Sequence, residues 1–159
     1  MKKPFIRSGK AGFTLAEMLI VIAITAILGS MAFASFGRLI NYTSIEGQAQ
    51  SIRSHIERAR IFTLASKNNS SFGVIFSTTT ARVFQGTAFV SASSSDQVLT
   101  LDSKDSIINI NFTGGGSTIY FNKITGEPNA TGTITVTATS NNLDQRTIVI
   151  YQTGIVDIQ

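Results

Sequence analysis

The chain has 159 residues, a length that suits one domain and an appendage. It contains no cysteine, which excludes disulfides and thiolate metal sites. Its formal charge of +4 suggests a nucleic-acid partner at first sight. However, four of the 13 basic residues precede residue 11, and nine acidic residues balance the other nine. The basicity therefore belongs to the N-terminal tip.

A short basic leader, residues 1–12, precedes a long apolar run. The segment from Met18 to Gly37 contains 20 residues without a charge. As a helix it would span roughly 30 Å, which is the thickness of a bilayer's hydrocarbon core. The positive charges before the run favour a cytoplasmic leader, with the rest of the chain outside. Two alternatives are a secretory signal cleaved near GSMAFAS and a plain N-terminal anchor.

The helical pattern continues beyond the apolar run. Six apolar residues recur every three or four positions: Ile45, Ala49, Ile52, Ile56, Ala59 and Phe62. This spacing places them in one stripe on a helix. The sequence therefore predicts one long helix from about Thr14 to about Ser66. Residues 13–40 form its transmembrane half, and residues 41–66 form its amphipathic half.

Short β-type runs separated by turn residues fill the chain beyond residue 66. They lie at 72–76, 81–85, 97–101, 107–111, 117–121, 132–139, 146–151 and 154–158. TGGGS at 113–117 predicts a flexible hairpin loop. The predicted fold is α+β, in which a long spine helix packs its amphipathic half on a mainly antiparallel sheet. Residues 67–159 form this β-rich head.

The stretch GFTLAEMLIVIAITAIL resembles the N-terminus of type IV pilins and type II secretion pseudopilins. The shared features are the basic leader, Gly12, the aromatic Phe13, Glu17 at the fifth mature position and the apolar helix. The resemblance implies a type IV pilin-like fold and cleavage between Gly12 and Phe13 by a prepilin peptidase. The same enzyme would methylate the new Phe13 amine. Removal of 12 residues from 159 leaves a mature chain of 147, which retains the apolar helix.

Within this resemblance, Glu17 is interpreted as an assembly residue. A carboxylate in hydrocarbon is costly unless it is protonated or finds a partner. In a filament, that partner would be the free α-amine of Phe13 on a neighbouring subunit. An ion pair in such an apolar bundle depends on orientation, so it would fix the axial register between helices. The alternative is that Glu17 extends to the membrane interface.

Two segments of the head, IYFNKITGEPNATGTITVT and RTIVIYQTGIVDI, are similar to the type II secretion protein H and FimT family. Members are minor pilins or minor pseudopilins that help to initiate or cap a filament. The implied partners are other pilin subunits, the prepilin peptidase and an inner-membrane assembly platform. The implied location is the inner membrane, crossed once, with the head in the periplasm or outside the cell. No cofactor is implied.

Two other functions remain as alternatives. Some FimT-like proteins bind DNA during natural transformation through basic residues near the C-terminus. Here no arginine or lysine follows Arg146, and residues 68–159 carry a net charge of −2, which disfavours nucleic acid as a partner. The second alternative is an N-anchored extracytoplasmic domain of other function.

No catalytic or metal-binding pattern stands out, and we predict that the protein is not an enzyme. The single histidine, His55, lacks the positioned partners that a general base needs. Asp96, Asp102 and Asp105 lie within ten residues, a spacing that raises the possibility of calcium binding. The twelve-residue calcium-loop signature is missing, so we predict solvated turn carboxylates and no metal site.

Four basic residues form a flank on or near the second half of the helix: Arg53, Arg58, Arg60 and Lys67. One interpretation is a solvated face paired with Glu46 and Glu57. The other is a contact with an acidic neighbouring subunit or with anionic lipid.

Overall fold

A computed structural model of the protein describes residues 12–138 and 141–159, except for the side chains of 32–42 and 141–143. The predicted leader lies outside the described residues, apart from Gly12. The predicted apolar run ends at Gly37, and its side chains after residue 31 also lie outside the described part.

One helix, α1, extends from Leu15 to Leu64 and confirms the predicted single long helix. The described residues divide between Leu39 and Ile40 into two compact units, and α1 contributes to both. The helix ends before Ser66, whose φ of 49° and ψ of 36° are left-handed. A residue in this conformation terminates an α-helix. A 3₁₀ turn at Lys67–Asn69 then leads into the head.

Within the described residues, the head contains eight strands in two antiparallel sheets. The strands are β1 (Phe72–Phe76), β2 (Thr80–Gln85), β3 (Gln97–Thr100), β4 (Asp105–Phe112), β5 (Thr118–Tyr120), β6 (Gly132–Ala138), β7 (Asn141–Ile150) and β8 (Val156–Ile158). The first sheet has the order β3-β2-β1-β5, and the second has the order β4-β6-β7-β8. The predicted α+β class is confirmed, although the strands form two sheets and the sequence had indicated one.

The prediction of a hairpin at TGGGS is wrong. The strands on either side of this loop belong to different sheets, because β4 pairs with β6 and β5 pairs with β1. Gly114, Gly115 and Gly116 all have positive φ, between 78° and 94°. Glycine adopts such angles without steric cost, so the loop can redirect the chain between the two sheets.

Four of the six residues of the predicted apolar stripe are fully buried in one core with both sheets. Its members Ala49, Ile52, Ile56 and Ala59 have no exposed surface and belong to the same hydrophobic cluster as inward residues of every long strand. The cluster spans both sheets, and the rings of Phe76 and Phe112, one from each sheet, lie 5.9 Å apart. Burial of a large aliphatic side chain contributes about 1.5–3 kcal/mol, so this stripe is the main attachment of α1 to the head.

Thr63 extends the stripe with a buried hydroxyl that the apolar pattern did not predict. Its Oγ1 donates a hydrogen bond to the Ala59 carbonyl at 2.9 Å and accepts one from the Phe72 amide at 2.8 Å. Phe72 opens β1, so the hydroxyl joins the end of α1 to the first strand. Buried amides need such partners, because a buried N–H without an acceptor destabilises the fold by more than a typical hydrogen bond stabilises it.

Two polar contacts join the other end of the amphipathic half to the second sheet. The Arg146 Nε on β7 donates to a Glu46 carboxylate oxygen at 2.8 Å. The Ser44 hydroxyl donates to an Asp105 carboxylate oxygen at 2.9 Å. Hydrogen bonding to Arg146, and to a smaller extent to Gln50, lowers the pKa of Glu46 below its ordinary value of 4.5.

Replacing Thr63 with valine should destabilise the head by about 1–3 kcal/mol, because the buried Phe72 amide loses its acceptor. Thr63→Ser keeps the hydroxyl and should cost about 1 kcal/mol or less, for the lost methyl group. Urea denaturation of the full chain in detergent measures both values. Equal stability of the valine variant and the wild type would show that the hydroxyl is not needed.

The Glu46–Arg146 pair should contribute stability only above a certain pH. Because the folded state has the lower pKa, this contribution is present above about pH 4.5 and is lost as the pH falls through the folded pKa. The Glu46 side chain is 38% exposed, so the contribution should stay below about 1 kcal/mol. We expect Glu46→Gln to be less stable than the wild type near neutral pH, with the difference shrinking in acid. Urea denaturation of both proteins at several pH values tests this prediction. A difference in unfolding free energy that does not change with pH would contradict it.

Candidate assembly site on the first turn of the helix

Thr14 and Glu17 form a capping box at the start of α1. The Thr14 backbone N–H and its hydroxyl both donate to Glu17 Oε2 at 3.1 Å. In return, the Glu17 backbone N–H donates to Thr14 Oγ1 at 3.2 Å. These bonds satisfy amides at a helix N-terminus that have no partner within the helix. A carboxylate in this first turn also interacts favourably with the helix dipole.

The capping box shows a role for Thr14 that the sequence interpretation missed. The signal was present, because TLAE at 14–17 has the Thr-x-x-Glu spacing of a capping box. Glu17 was interpreted only through a partner on another subunit. In the structure it already has a partner within its own chain, so Thr14 positions the carboxylate.

Gly12 and Phe13 lie outside the helix, immediately before the capping box. The Phe13 side chain is 84% exposed, and a side chain built at Gly12 would meet nothing within 4 Å. The bond between these residues is therefore accessible and in non-helical backbone. The structure brings Gly12, Phe13 and Glu17 into one short segment.

The helix that follows is apolar on every described side. Eleven large hydrophobic side chains between residues 13 and 31 are exposed: Phe13, Leu15, Met18, Leu19, Ile20, Val21, Ile22, Ile24, Ile27, Leu28 and Met31. Thr25 and Ser30 direct their hydroxyls to carbonyls of the preceding turn. A helix that is apolar all round requires lipid or other helices as its surroundings.

Within the described residues, no helical segment combines the length and the apolarity that a membrane span requires. The predicted transmembrane run, Met18–Gly37, reaches into residues whose side chains lie outside this description.

The three clustered aspartates differ in their exposure to solvent. Asp102 is exposed, as predicted, but Asp105 is only 2% exposed and Asp96 is largely buried. Asp96 accepts a hydrogen bond from the Ser93 amide at 2.9 Å and pairs with Arg82 at 3.5 Å. The prediction of solvated carboxylates is therefore wrong for two of the three. β4 begins two residues earlier than predicted, which places Asp105 inside the head. No grouping of acidic or histidine side chains suited to a metal occurs in the part of the chain that the structure describes.

Each of the four residues of the basic flank makes a different contact. Arg53 pairs with Glu57 at 2.8 Å, as one interpretation predicted, whereas Glu46 pairs with Arg146, which lies outside the flank. Arg58 donates to the Gln97 side chain, and the Lys67 amine lies 3.8 Å from the centre of the Phe62 ring. Arg60 donates to the backbone carbonyls of Gly126 and Thr153.

His55 is half-buried against its own helix. Its Nδ1 lies 3.0 Å from the Ser51 carbonyl oxygen, one turn earlier in the same helix.

Comparison with known proteins gives one match to the N-terminal sequence and separate matches to the fold. A family model described as the prokaryotic N-terminal methylation motif matches residues 7–33. No curated protein sequence matches significantly. Among solved structures, the type IV minor pilin FimU of Pseudomonas aeruginosa has a TM-score of 0.57 and 9% identity in one crystal form. That match covers 74% of this chain and 89% of FimU.

A second similar structure comes from a secretion system. The minor pseudopilin EpsH of the Vibrio cholerae type 2 secretion system is 16% identical, with a TM-score of 0.54. The match covers 73% of this chain and 96% of EpsH. The fold is thus that of type IV pilins and pseudopilins. The chain places an N-terminal methylation motif ahead of a head with this fold.

Removal of the capping hydroxyl should weaken the first turn of α1. Thr14→Ala should cost about 1 kcal/mol of local helix stability, whereas Thr14→Ser should retain most of it. Amide hydrogen exchange of the full chain in micelles measures this local stability through the protection of the Glu17 amide, whose N–H donates to Thr14 Oγ1. Unchanged protection of Glu17 in the alanine variant would show that the capping box does not form there.

Proposed function

We propose that this protein is a minor pilin or minor pseudopilin, a structural subunit of a type IV pilus or a type II secretion pseudopilus. It would help to initiate or cap the filament and act by assembly, without catalysis. The observation that carries the proposal is the methylation motif, located on an exposed helix start ahead of a pilin-type head. The similar solved structures are a minor pilin and a minor pseudopilin, which favours a minor role here.

The first step in this proposal is processing at the exposed bond between Gly12 and Phe13. A prepilin peptidase hydrolyses the bond, releases the leader and leaves a free amine on Phe13, which it then methylates. Hydrolysis creates a positive charge directly beside the capping box. The accessible, non-helical backbone at these two residues suits a protease, which must bind its substrate in an extended form.

The second step is lateral assembly of the apolar helices in the membrane. The Glu17 carboxylate of one subunit pairs with the Phe13 amine of its neighbour. Both bonds from Thr14 end on Oε2, and no bond to Oε1 occurs within the described residues. A carboxylate can accept several hydrogen bonds, so Oε1 can take the neighbour's amine while the cap remains. The pair then sets the register of helices that would otherwise slide.

Residues 13–40 are proposed as the membrane and assembly segment, residues 41–66 as the helix of the head, and residues 67–159 as its β-rich part. Before assembly, the protein would lie in the inner membrane with its head in the periplasm. Its partners would be other pilin-class subunits, the prepilin peptidase and the assembly platform.

Glu17→Ala is expected to be cleaved and methylated normally but to enter filaments at least about tenfold less well, because a desolvated amine is left without its partner. Filaments purified from the native host and probed for this chain provide the measurement. Asp102→Ala is the matched control, since it removes an exposed carboxylate from the head. Mass spectrometry of the N-terminus confirms processing in each variant.

Two results would contradict these proposals at different levels. Normal incorporation of the Glu17 variant would reject the pairing role alone. A wild-type chain that still begins at Met1 in its host would reject the filament function, because no Phe13 amine would exist.

A further inference from the structure

A cleft with a volume of about 330 Å³ lies beside the connection between β2 and β3, residues 86–96. Its lining includes Phe84, Phe89, Asp96 and three serines of the connection, Ser91, Ser93 and Ser95. Ligand pockets in proteins have volumes from about 300 Å³ upward, so the cleft has room for a small molecule. None of these residues takes part in the proposed assembly.

The connection that forms the cleft is fixed at both ends. The Gly86 amide donates to the Ser71 carbonyl at 2.7 Å, and Asp96 at the other end pairs with Arg82 of β2 at 3.5 Å. Loops of β-hairpins usually have about 2–5 residues, so the 11 residues from 86 to 96 exceed what the turn requires. Long loops held on a rigid scaffold are common places for binding sites.

The Asp96 carboxylate has one oxygen without a partner. Its side chain is only 4% exposed, and Oδ2 accepts hydrogen bonds from the Ser93 amide at 2.9 Å and from Arg82 Nη1 at 3.5 Å. No hydrogen bond to Oδ1 occurs within the described residues, and no fully buried side-chain oxygen among them lacks a partner. Oδ1 therefore reaches open space, and the open space that Asp96 lines is the cleft. Such an oxygen favours a ligand that donates a hydrogen bond.

The charge of the cleft restricts the class of ligand. Among the described residues that line it, Asp96 alone has an ionisable side chain, and Arg82 neutralises that charge from the adjacent strand. A cationic ligand would have to compete with Arg82, and an anionic ligand would meet an acceptor oxygen. Nucleic acid requires cationic contacts to its phosphates, which the lining does not supply. The cleft therefore suits an uncharged ligand.

The other lining groups combine hydroxyls with an aromatic ring. The Ser93 and Ser95 hydroxyls lie 3.0 Å apart, and each can donate or accept. Phe89 is half-buried, and its ring packs edge to face on Phe84 with the centroids 5.5 Å apart. A saccharide has hydroxyls that donate and accept, and C–H faces that pack on aromatic rings. Peptides instead pair with strand edges or insert into apolar grooves.

We infer that this cleft binds an uncharged oligosaccharide. A sugar O–H or amide N–H donates to Asp96 Oδ1, the serine hydroxyls bond to other sugar hydroxyls, and one sugar face packs on Phe89. The cleft lies in the head and shares no residue with the start of α1. Binding therefore requires neither cleavage after Gly12 nor assembly, and it can be measured on the isolated chain.

Nuclear magnetic resonance of the isotope-labelled full chain tests this binding with two probes, cellotriose and triacetylchitotriose. Micelles of dodecylphosphocholine are used, because maltoside detergents carry sugar headgroups. At least one probe at millimolar concentration should shift the amide resonances of Ser91, Ser93 and Ser95. The amides of residues 114–116, in the loop between β4 and β5, should not shift. A response to triacetylchitotriose alone would assign the site to N-acetylated amino sugars. No shift with either probe, or equal shifts in both loops, would overturn the inference.

Asp96→Asn tests the role of the unpaired oxygen. Asparagine keeps an oxygen for the Ser93 amide and presents an amino group in place of Oδ1, so affinity should fall about tenfold through the loss of one acceptor. Asp102→Asn is the matched control, because it changes an exposed aspartate that does not line the cleft. Equal affinity of the two variants would overturn the inference.

A second pair of variants separates binding from folding, because Asp96 also holds the connection in place. Phe89→Leu keeps an apolar side chain but removes the ring, and it should weaken binding several-fold. Phe89→Tyr keeps the ring and should bind the sugar as the wild type does. The same affinity in the leucine and tyrosine variants would count against a sugar face packed on Phe89 and would overturn the inference.

Discussion

Burial of one stripe of α1 against two sheets is the interaction on which the head depends. The four fully buried residues from Ala49 to Ala59 belong to the same cluster as the inward residues of both sheets, so neither sheet has a complete core without the helix. Between Met18 and Met31, after the first turn with its Glu17, the same helix exposes large apolar side chains on every described side. Its two parts therefore satisfy different surroundings: the second part is buried by its own head, whereas the first part requires lipid or other helices.

Polar side chains along the flanks of α1 fix how the stripe faces the core. Thr63 bonds to the first strand at one end of the amphipathic half, and Ser44 and Glu46 bond to the second sheet at the other. Apolar contacts alone tolerate small rotations and shifts, because they have little directionality. Hydrogen bonds at both ends of the stripe remove this freedom, since each requires a specific distance and angle. The head is thus attached by burial and oriented by its polar contacts.

Much of this architecture could be predicted from the sequence because it depends on local periodicity. The stripe at intervals of three and four, the alternating strands and the glycine-rich turns gave the long helix and nearly all strand positions. The division into two sheets could not be predicted in the same way, because strand pairing joins residues that are distant in the sequence. The hairpin prediction at 113–117 failed for this reason, as did the prediction that Asp105 is solvated. At the candidate site, Gly12, Phe13 and Glu17 were identified by resemblance. Thr14 was missed although its spacing to Glu17 is a local signal.

In the proposed filament, the apolar N-terminal helix and the head would have different roles. An apolar helix packs against any similar apolar helix, and a Glu17–amine pair is available to every subunit with the same motif. Such contacts supply affinity and register, but they do not distinguish one subunit from another. Discrimination must then come from the heads, whose surfaces differ.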